Sequence, residues 1–335
     1  MQEVISTVAL TQPELKLTVY TIAYESASEC KMVIQELRRQ TMRADMEIIV
    51  VSPTREGMDE SNFEEFGAWQ WVIMPEVRAC GEAMEAAVRV AQAPYVVYAE
   101  EHSYFDEEWA QRLVAAHERG YDAVGFAMEN ANPQTLTSWA QLYGQFGPLV
   151  APVESRESHV LAGHHASYRK DVLLNYADLL STMLEDESAL FLDYHARGKR
   201  MFIAGDAISR HVNISNLKAY MHMDYLGQRS FASARARVGQ WQWWKRALYV
   251  GATPLIPGVR LWRILRDIKR TGRQREMLPQ ILAPVALALL AGAWGEMLGY
   301  LAGSSDCAQR RAPAELQRER FLGKKDRWTK EQTVT

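Results

Sequence analysis

Glu100-Glu101-His102 sets two carboxylates and an imidazole on consecutive residues. Such groups repel one another, or lose protons reluctantly, unless a proton or a cation sits among them. A carboxylate with an imidazole is also a donor set that favours Mn²⁺ or another transition ion over Mg²⁺. A solvated acidic loop would look the same. A second acidic run, Glu185-Asp186-Glu187, offers carboxylates able to take a proton from an attacking hydroxyl. Three acids equally suit the first turn of a helix, where they meet the positive end of its dipole. Gly163-His164-His165 joins a glycine, which lets a ligand approach the backbone, to two more imidazoles. His211 stands alone, as a ligand or as a structural histidine. Asn130 and Asn132, before Pro133, suit a turn.

These residues need elements to position them. Residues 17–23, 47–51, 71–74, 95–99 and 123–127 are apolar, β-branched or aromatic runs and read as strands, with 201–204 another. Residues 26–39, opened by Ser26 or Ser28, 81–91, closed by Pro94, and 107–119 read as helices. Strands alternating with helices predict a mixed or parallel sheet covered on both faces. Ligands of such sheets bind beyond the carboxyl ends of the strands. That geometry draws attention to the residues after positions 23, 51 and 99. His211 is expected to begin a loop after the strand at 201–204.

The ordered set of segments resembles the family 2 glycosyltransferases. Tyr24-Glu25 stands where that family ends its first strand in a Tyr-Asn-like pair, and Gln40-Thr41 precedes the next strand. Gly81, Ala86, Ala87 and Ala93 form the glycine-led, alanine-rich stretch before residues 95–99, and Glu100-Glu101-His102 takes the place of Asp-x-Asp. Gly163 to Arg169, the acids at 185–187, and His211-Val212-Asn213 follow in order. The resemblance covers about residues 15–215. It implies an α/β fold of the GT-A, Rossmann-like type, a mixed sheet flanked by helices. It implies an inverting transfer of a sugar from a nucleotide-sugar to a hydroxyl. It implies a donor side of Ala23, Tyr24, Glu25, Ser52, Gly81, Glu100 and Glu101, and an acceptor side of Gly163, His164 and His165. It implies a divalent metal, Mn²⁺ or Mg²⁺, on Glu100, His102 and His211. The base lies among Glu185, Asp186 and Glu187; counting back from Gly198 through Leu190 puts it on Glu187, with Asp186 the preceding acid. Glu-x-His in place of Asp-x-Asp, Ser52 in place of an aspartate and Ala86-Ala87 in place of Arg-Asn depart from the family pattern. They bear on metal preference and on the nucleotide base.

The chain has 335 residues, 48% hydrophobic and 24% charged, an ordinary globular composition. Three separated cysteines without a CxxC pair argue against a disulfide framework or a zinc knuckle, and for a reducing compartment. No charged start followed by a long apolar run is seen, so no secretory signal is expected. Net charge is −3, but residues 1–209 hold 16 basic against 32 acidic residues, and residues 210–276 hold 14 against 3. The basic belt carries Trp241, Trp243, Trp244 and Trp262, and Leu261, Ile264, Leu265 and Ile268 alternate with arginines. This pattern suits an anionic membrane surface. The acidic body excludes nucleic acid as a partner. Residues 277–303 hold one charge, Glu296, and a 14-residue apolar core, short of the roughly 20 needed to span a bilayer. A re-entrant or interfacial hairpin is expected there.

The domain reading is a GT-A domain at 1–215, a helical membrane-associating region at 216–303 and a polar, partly ordered tail at 304–335. The acceptor would be a glycan or a lipid-linked molecule, reached from the cytoplasmic side of the cell membrane by a peripheral or monotopic enzyme. Two rivals stand. A sugar nucleotidyltransferase should show a glycine-rich loop with a lysine after the first strand, and none is present. A non-catalytic membrane-bound scaffold would explain the replaced Asp-x-Asp motif. The oligomeric state leaves no mark in the sequence.

Overall fold

The computed structural model describes residues 3–8 and 14–326. It divides into two compact units, Met1–Ala127 with Val153–Arg210, and Met128–Pro152 with His211–Thr335.

The first unit is built on a ten-stranded sheet. Its strands are β1 (Glu3–Val8), β2 (Leu17–Ile22), β3 (Met46–Ser52), β4 (Ala68–Ile73), β5 (Tyr95–Tyr98), β6 (Ser103–Phe105), β7 (Ala123–Asn130), β8 (Arg156–Glu157), β9 (Ala166–Arg169) and β10 (Met201–His211). The order is β1-β4-β3-β2-β5-β9-β7-β10-β6, with β8 on β10. β4, β3, β2 and β5 run parallel. β9 lies antiparallel between β5 and β7. Every residue of β2 and β3 is buried, as befits parallel strands covered on both faces. Even Glu47 in β3 is enclosed. Its carboxylate accepts hydrogen bonds from the Thr18 hydroxyl, the Gln70 amide and the Gln92 N–H, which satisfies a charge that burial would otherwise penalise.

Most expected elements appear within a residue or two. β4 starts earlier than read, because Ala68, Trp69 and Gln70 pair with β3. β10 runs on to His211, which corrects the reading of His211 as the start of a loop. β9 was not among the strands read from the sequence and is a central strand. The helix read at 26–39 is a 3-10 turn, Ala27–Cys30, leading into Lys31–Leu37. Ser26 does not cap it, since its hydroxyl pairs with that of Ser28.

Two contacts fix the elements that carry the candidate chemistry. Helix Cys80–Val90 packs on helix Leu180–Glu185 with Gly81 at the closest approach. A Cβ at Gly81 would stand 2.2 Å from the Ser181 carbonyl oxygen and 2.8 Å from the Glu185 nitrogen. His117, on helix Trp109–Glu118, has Nδ1 2.9 Å from the Tyr121 carbonyl and Nε2 2.8 Å from the Ser167 hydroxyl, and so ties this helix to β9. The carbonyl accepts the Nδ1–H hydrogen bond, so the neutral imidazole carries its proton on Nδ1. Burial lowers its pKa from 6.5 to about 4.

In the second unit, helix Leu282–Ala302 packs along helix Leu217–Val238. Three glycines make that possible. A Cβ at Gly295 would lie 2.1 Å from the Tyr225 carbonyl oxygen, and one at Gly299 would lie 2.4 Å from that of Arg229. The 21 residues form one unbroken helix, which corrects the expected hairpin. Pro284 sits in the first turn, where a proline removes no intrahelical hydrogen bond. The C-terminal residues also differ from expectation. Cys307–Leu316 is a helix followed by the turn Arg318–Phe321, and Arg318 is buried with its guanidinium 3.2 Å from Glu315 Oε2.

Gly81→Ala should lower stability by about 1–3 kcal/mol, because the neighbouring atoms are backbone and cannot yield. Gly227→Ala, in a helix with nothing within 4 Å of the added Cβ, should instead raise it by about 0.5–1 kcal/mol. Denaturant midpoints decide both. His117 gives a pH test. Its folded pKa is depressed, so its stabilisation is complete above pH 6.5 and is lost as pH falls toward 4. The stability difference between wild type and His117→Gln should therefore shrink by about 2–3 kcal/mol over that window.

Candidate active site

Ala99 donates its N–H to the Tyr20 carbonyl at 2.9 Å and prolongs β5 by one residue. Glu100 then leaves the sheet beyond the carboxyl ends of β2 and β5. A tight turn, Ser103 N–H to Glu100 carbonyl at 3.1 Å, returns the chain into β6. The tripeptide is buried: Glu100 is 3% exposed, Glu101 8% and His102 4%. It is not a solvated loop.

The Glu100 carboxylate is ringed by imidazoles of the same unit. Its Oε2 lies 3.4 Å from His102 Nε2 and 3.3 Å from His165 Nε2, and its Oε1 lies 3.5 Å from His164 Nδ1. Burial raises this carboxyl, but His165 and His102, with hydrogen bonds from His102 and His164, hold it well below the usual range. Glu101 Oε1 stands 2.9 Å from His102 Nδ1. A carboxylate there accepts the Nδ1–H hydrogen bond and turns Nε2 toward Glu100, the orientation that a metal-binding histidine needs. At 3.4 Å the gap between Nε2 and the carboxylate oxygen is filled by a proton, as a hydrogen bond to Glu100, or by a cation that replaces it. Glu101 Oε2 is itself buried without a hydrogen bond among the described residues. The donor set therefore fits a divalent cation. Two ligand atoms about 2.1 Å from one ion stand roughly 3–3.4 Å apart, which is the spacing of Glu100 and His102.

β9 supplies the opposite wall. The loop before it carries Gly163, His164 and His165. His164 has φ +61°, a left-handed conformation that a non-glycine residue holds only when its surroundings enforce it. Glu187 does so, accepting the His164 N–H on Oε2 and the Tyr168 hydroxyl on Oε1. The His164 ring meets Tyr98 edge-on at 5.7 Å, and Tyr98 stacks on Tyr20.

The three acids at 185–187 have different surroundings because the chain turns at Asp186 (φ −127°, ψ 62°), between two helices. Glu185 Oε2 accepts the Gly81 N–H at 2.7 Å, at the N-terminus of helix Cys80–Val90. Asp186 is half-buried at the joint. Glu187 is buried. Burial raises its carboxyl above the ordinary range, against the opposing pull of His164 and the Tyr168 hydrogen bond.

On the donor side, Ala23 N–H continues β2 by pairing with the Val51 carbonyl at 2.8 Å. The N–H groups of Tyr24 and Glu25 both point to Glu29 Oε2, at 2.6 and 3.1 Å. Ser52 turns its hydroxyl to the Thr54 carbonyl at 2.9 Å. Gly81 serves the helix packing described above. In the second unit, His211 is buried with Nδ1 3.0 Å from Asn213 Oδ1 and its ring against Phe146. Asn130 and Asn132 do form a turn, Asn132 N–H to Asn130 Oδ1 at 3.1 Å, and both also bind Asn213. Tyr98 and Glu29 escaped sequence reading as site residues, and Tyr168, inside the Gly163–Arg169 stretch, was given no role of its own. The signal for Tyr168 was its place three residues after His165.

Known proteins bear on this arrangement. The family model described as glycosyl transferase family 2 matches residues 18–176. Residues 18–176 form a family 2 glycosyltransferase domain. The mixed sheet flanked by helices is the scaffold of that domain, and the match identifies the enzyme class of these residues as glycosyltransferase. No curated protein matches the sequence. Among solved structures, this chain is similar to residues 1–349 of S. aureus TarS in complex with UDP, at 14% identity and TM-score 0.45, over 85% of this chain and 91% of that one. The same fragment in complex with UDP-GlcNAc matches at 13% identity and TM-score 0.45 over the same shares.

Tyr168→Phe removes a hydrogen bond that favours ionised Glu187. A bond worth about 1 kcal/mol corresponds to roughly 0.7 of a pH unit. The Glu187 pKa should rise by that much, and if Glu187 is the base, the acid limb of the kcat–pH profile should move up with it. An unmoved limb would assign the base to another acid.

Proposed function

We propose that this domain transfers a sugar, with inversion, from a nucleotide-sugar to a hydroxyl of a membrane-presented or lipid-linked glycan acceptor. The observation that carries the reading is the buried Glu100 carboxylate beside a His102 imidazole whose outer nitrogen is fixed by Glu101. Glu100 and His102 would hold a divalent ion, Mn²⁺ before Mg²⁺, and the order of segments in the family adds His211 to that set. Such an ion supplies charge stabilisation for a departing diphosphate. Ala23, Tyr24, Glu25, Ser52, Gly81, Glu100 and Glu101 form the donor side in this reading. Gly163, His164 and His165 form the acceptor side.

Glu187 is the general base of choice. A carboxyl raised by burial holds a proton more strongly and matches a base working near neutral pH. One base and no paired nucleophile support a single displacement. We place the enzyme at the cytoplasmic side of a membrane, peripheral or monotopic. Three free, buried thiols and the basic C-terminal sequence support that location.

The test is thermal stabilisation by UDP, GDP, CDP and dTDP, each with and without Mn²⁺. Ligand at 100 times its dissociation constant stabilises by about 2.7 kcal/mol. One nucleotide should raise the melting temperature only with Mn²⁺, and His102→Ala should abolish the rise while the protein stays folded. No shift with any of the four would turn the reading toward a non-catalytic scaffold.

A further inference from the structure

We infer that the second unit seats flat on an anionic lipid leaflet, with helix Leu282–Ala302 lying in the interface rather than crossing the bilayer. This extends the membrane part of the reading above and is independent of the donor site.

By length and apolar composition, Leu282–Ala302 is long enough to cross a membrane, yet half of its most apolar window is buried inside the protein. Its other side is bare. Leu287, Leu290, Trp294 and Leu301 are 42%, 60%, 57% and 60% exposed. Their spacing of three, four and seven residues keeps them on one helical stripe. An open groove of about 700 Å³ continues this stripe at Ala291 and Trp294, walled by Leu217, Met221 and Tyr225 of the neighbouring helix, with Lys218 beside it. Helices Trp243–Ala252 and Ile256–Arg270 both pack on Leu282–Ala302. Together with the turn Thr253–Leu255 between them, they expose Trp243, Trp244, Leu255 and Trp262.

The charges identify the occupant. Residues 210–276 carry 14 basic residues against 3 acidic ones. Arg263, Arg266 and Lys269 are exposed on the same helix as Trp262, and the Arg266 guanidinium lies 5.4 Å from the Trp262 ring centroid. A second copy of this chain would bring basic surface against basic surface. A leaflet with anionic headgroups complements both the arginines and the apolar rows, and tryptophan prefers the headgroup level.

The buried side decides the orientation. The helix meets Leu217–Val238 through Gly292, Gly295 and Gly299. That partner carries Lys218, Asp224, Arg229, Arg235 and Arg237. Asp224 is buried and binds Arg260 through two hydrogen bonds of 3.0 Å. Glu296 is buried against the Tyr300 hydroxyl at 3.0 Å. Crossing would either carry these charges into hydrocarbon or strip the helix from its partner. Lying in the plane keeps every one of these contacts and covers only the bare stripe.

The experiment uses the full chain without nucleotide, so that failure of the donor site does not affect it. Co-sedimentation is measured with vesicles of one part phosphatidylglycerol to three parts phosphatidylcholine, and with phosphatidylcholine alone. Binding should favour the anionic vesicles and weaken in high salt. Leu290→Glu and Trp262→Glu, both at exposed sites, should each lower partitioning at least about tenfold with an unchanged melting temperature. No preference for anionic vesicles, or variants that bind as wild type does, would overturn the proposal. A wild-type dimer that Leu290→Glu dissociates would give the surface to a second copy instead. For orientation, Gln280→Cys and Asp306→Cys flank the helix, and the native thiols are buried. On sealed vesicles, a membrane-impermeant maleimide added outside should label both positions. Labelling of one alone would mean a crossing helix.

Discussion

The first unit is organised around a carboxylate buried at the end of β5. A buried, ionised Glu100 is tolerable only with positive charge or hydrogen-bond donors around it. His102 comes from its own turn, and His164 and His165 come from the loop that leads into β9. That loop keeps its left-handed residue because Glu187 grips the His164 amide. Glu187 can reach it because Glu185, two residues earlier, is tied to the N-terminus of the helix that packs on its own. A single electrostatic requirement therefore runs through β5, β9, the helix at Cys80–Val90 and the acidic run at 185–187.

The same region holds two buried carboxylates driven in opposite directions. Three imidazoles hold Glu100 low, while burial keeps Glu187 high. Environments that push paired acids apart are how one site keeps one group charged and another able to exchange a proton near neutral pH. The division of labour proposed above, between a cation holder and a base, would be built from surroundings, since both residues are glutamates.

The sequence was most legible where burial leaves a simple pattern. β2 and β3 are continuous apolar runs because both faces are covered, and such runs are visible without a structure. β9 is four residues long and includes Ser167 and Arg169, so neither its length nor its period separates it from loop. The types of residue at Glu100 to His102 were legible, but their burial was not, since the closing wall comes from residues some 60 positions later. The acids at 185–187 could not be told apart by spacing. What separates them is the bend at Asp186, a feature of two helices meeting.

Helix Leu282–Ala302 shows the limit of composition in a different way. An apolar stretch of 21 residues satisfies the length of a membrane span whether lipid or protein surrounds it. Hydropathy sums over the circumference and loses the distinction. The glycines at 292, 295 and 299 preserve it. Small residues on one side admit a partner backbone, and a partner bearing arginines and an aspartate cannot sit in hydrocarbon. The identity of the packed neighbour, rather than the apolar content of the helix, is therefore what the in-plane placement proposed above rests on.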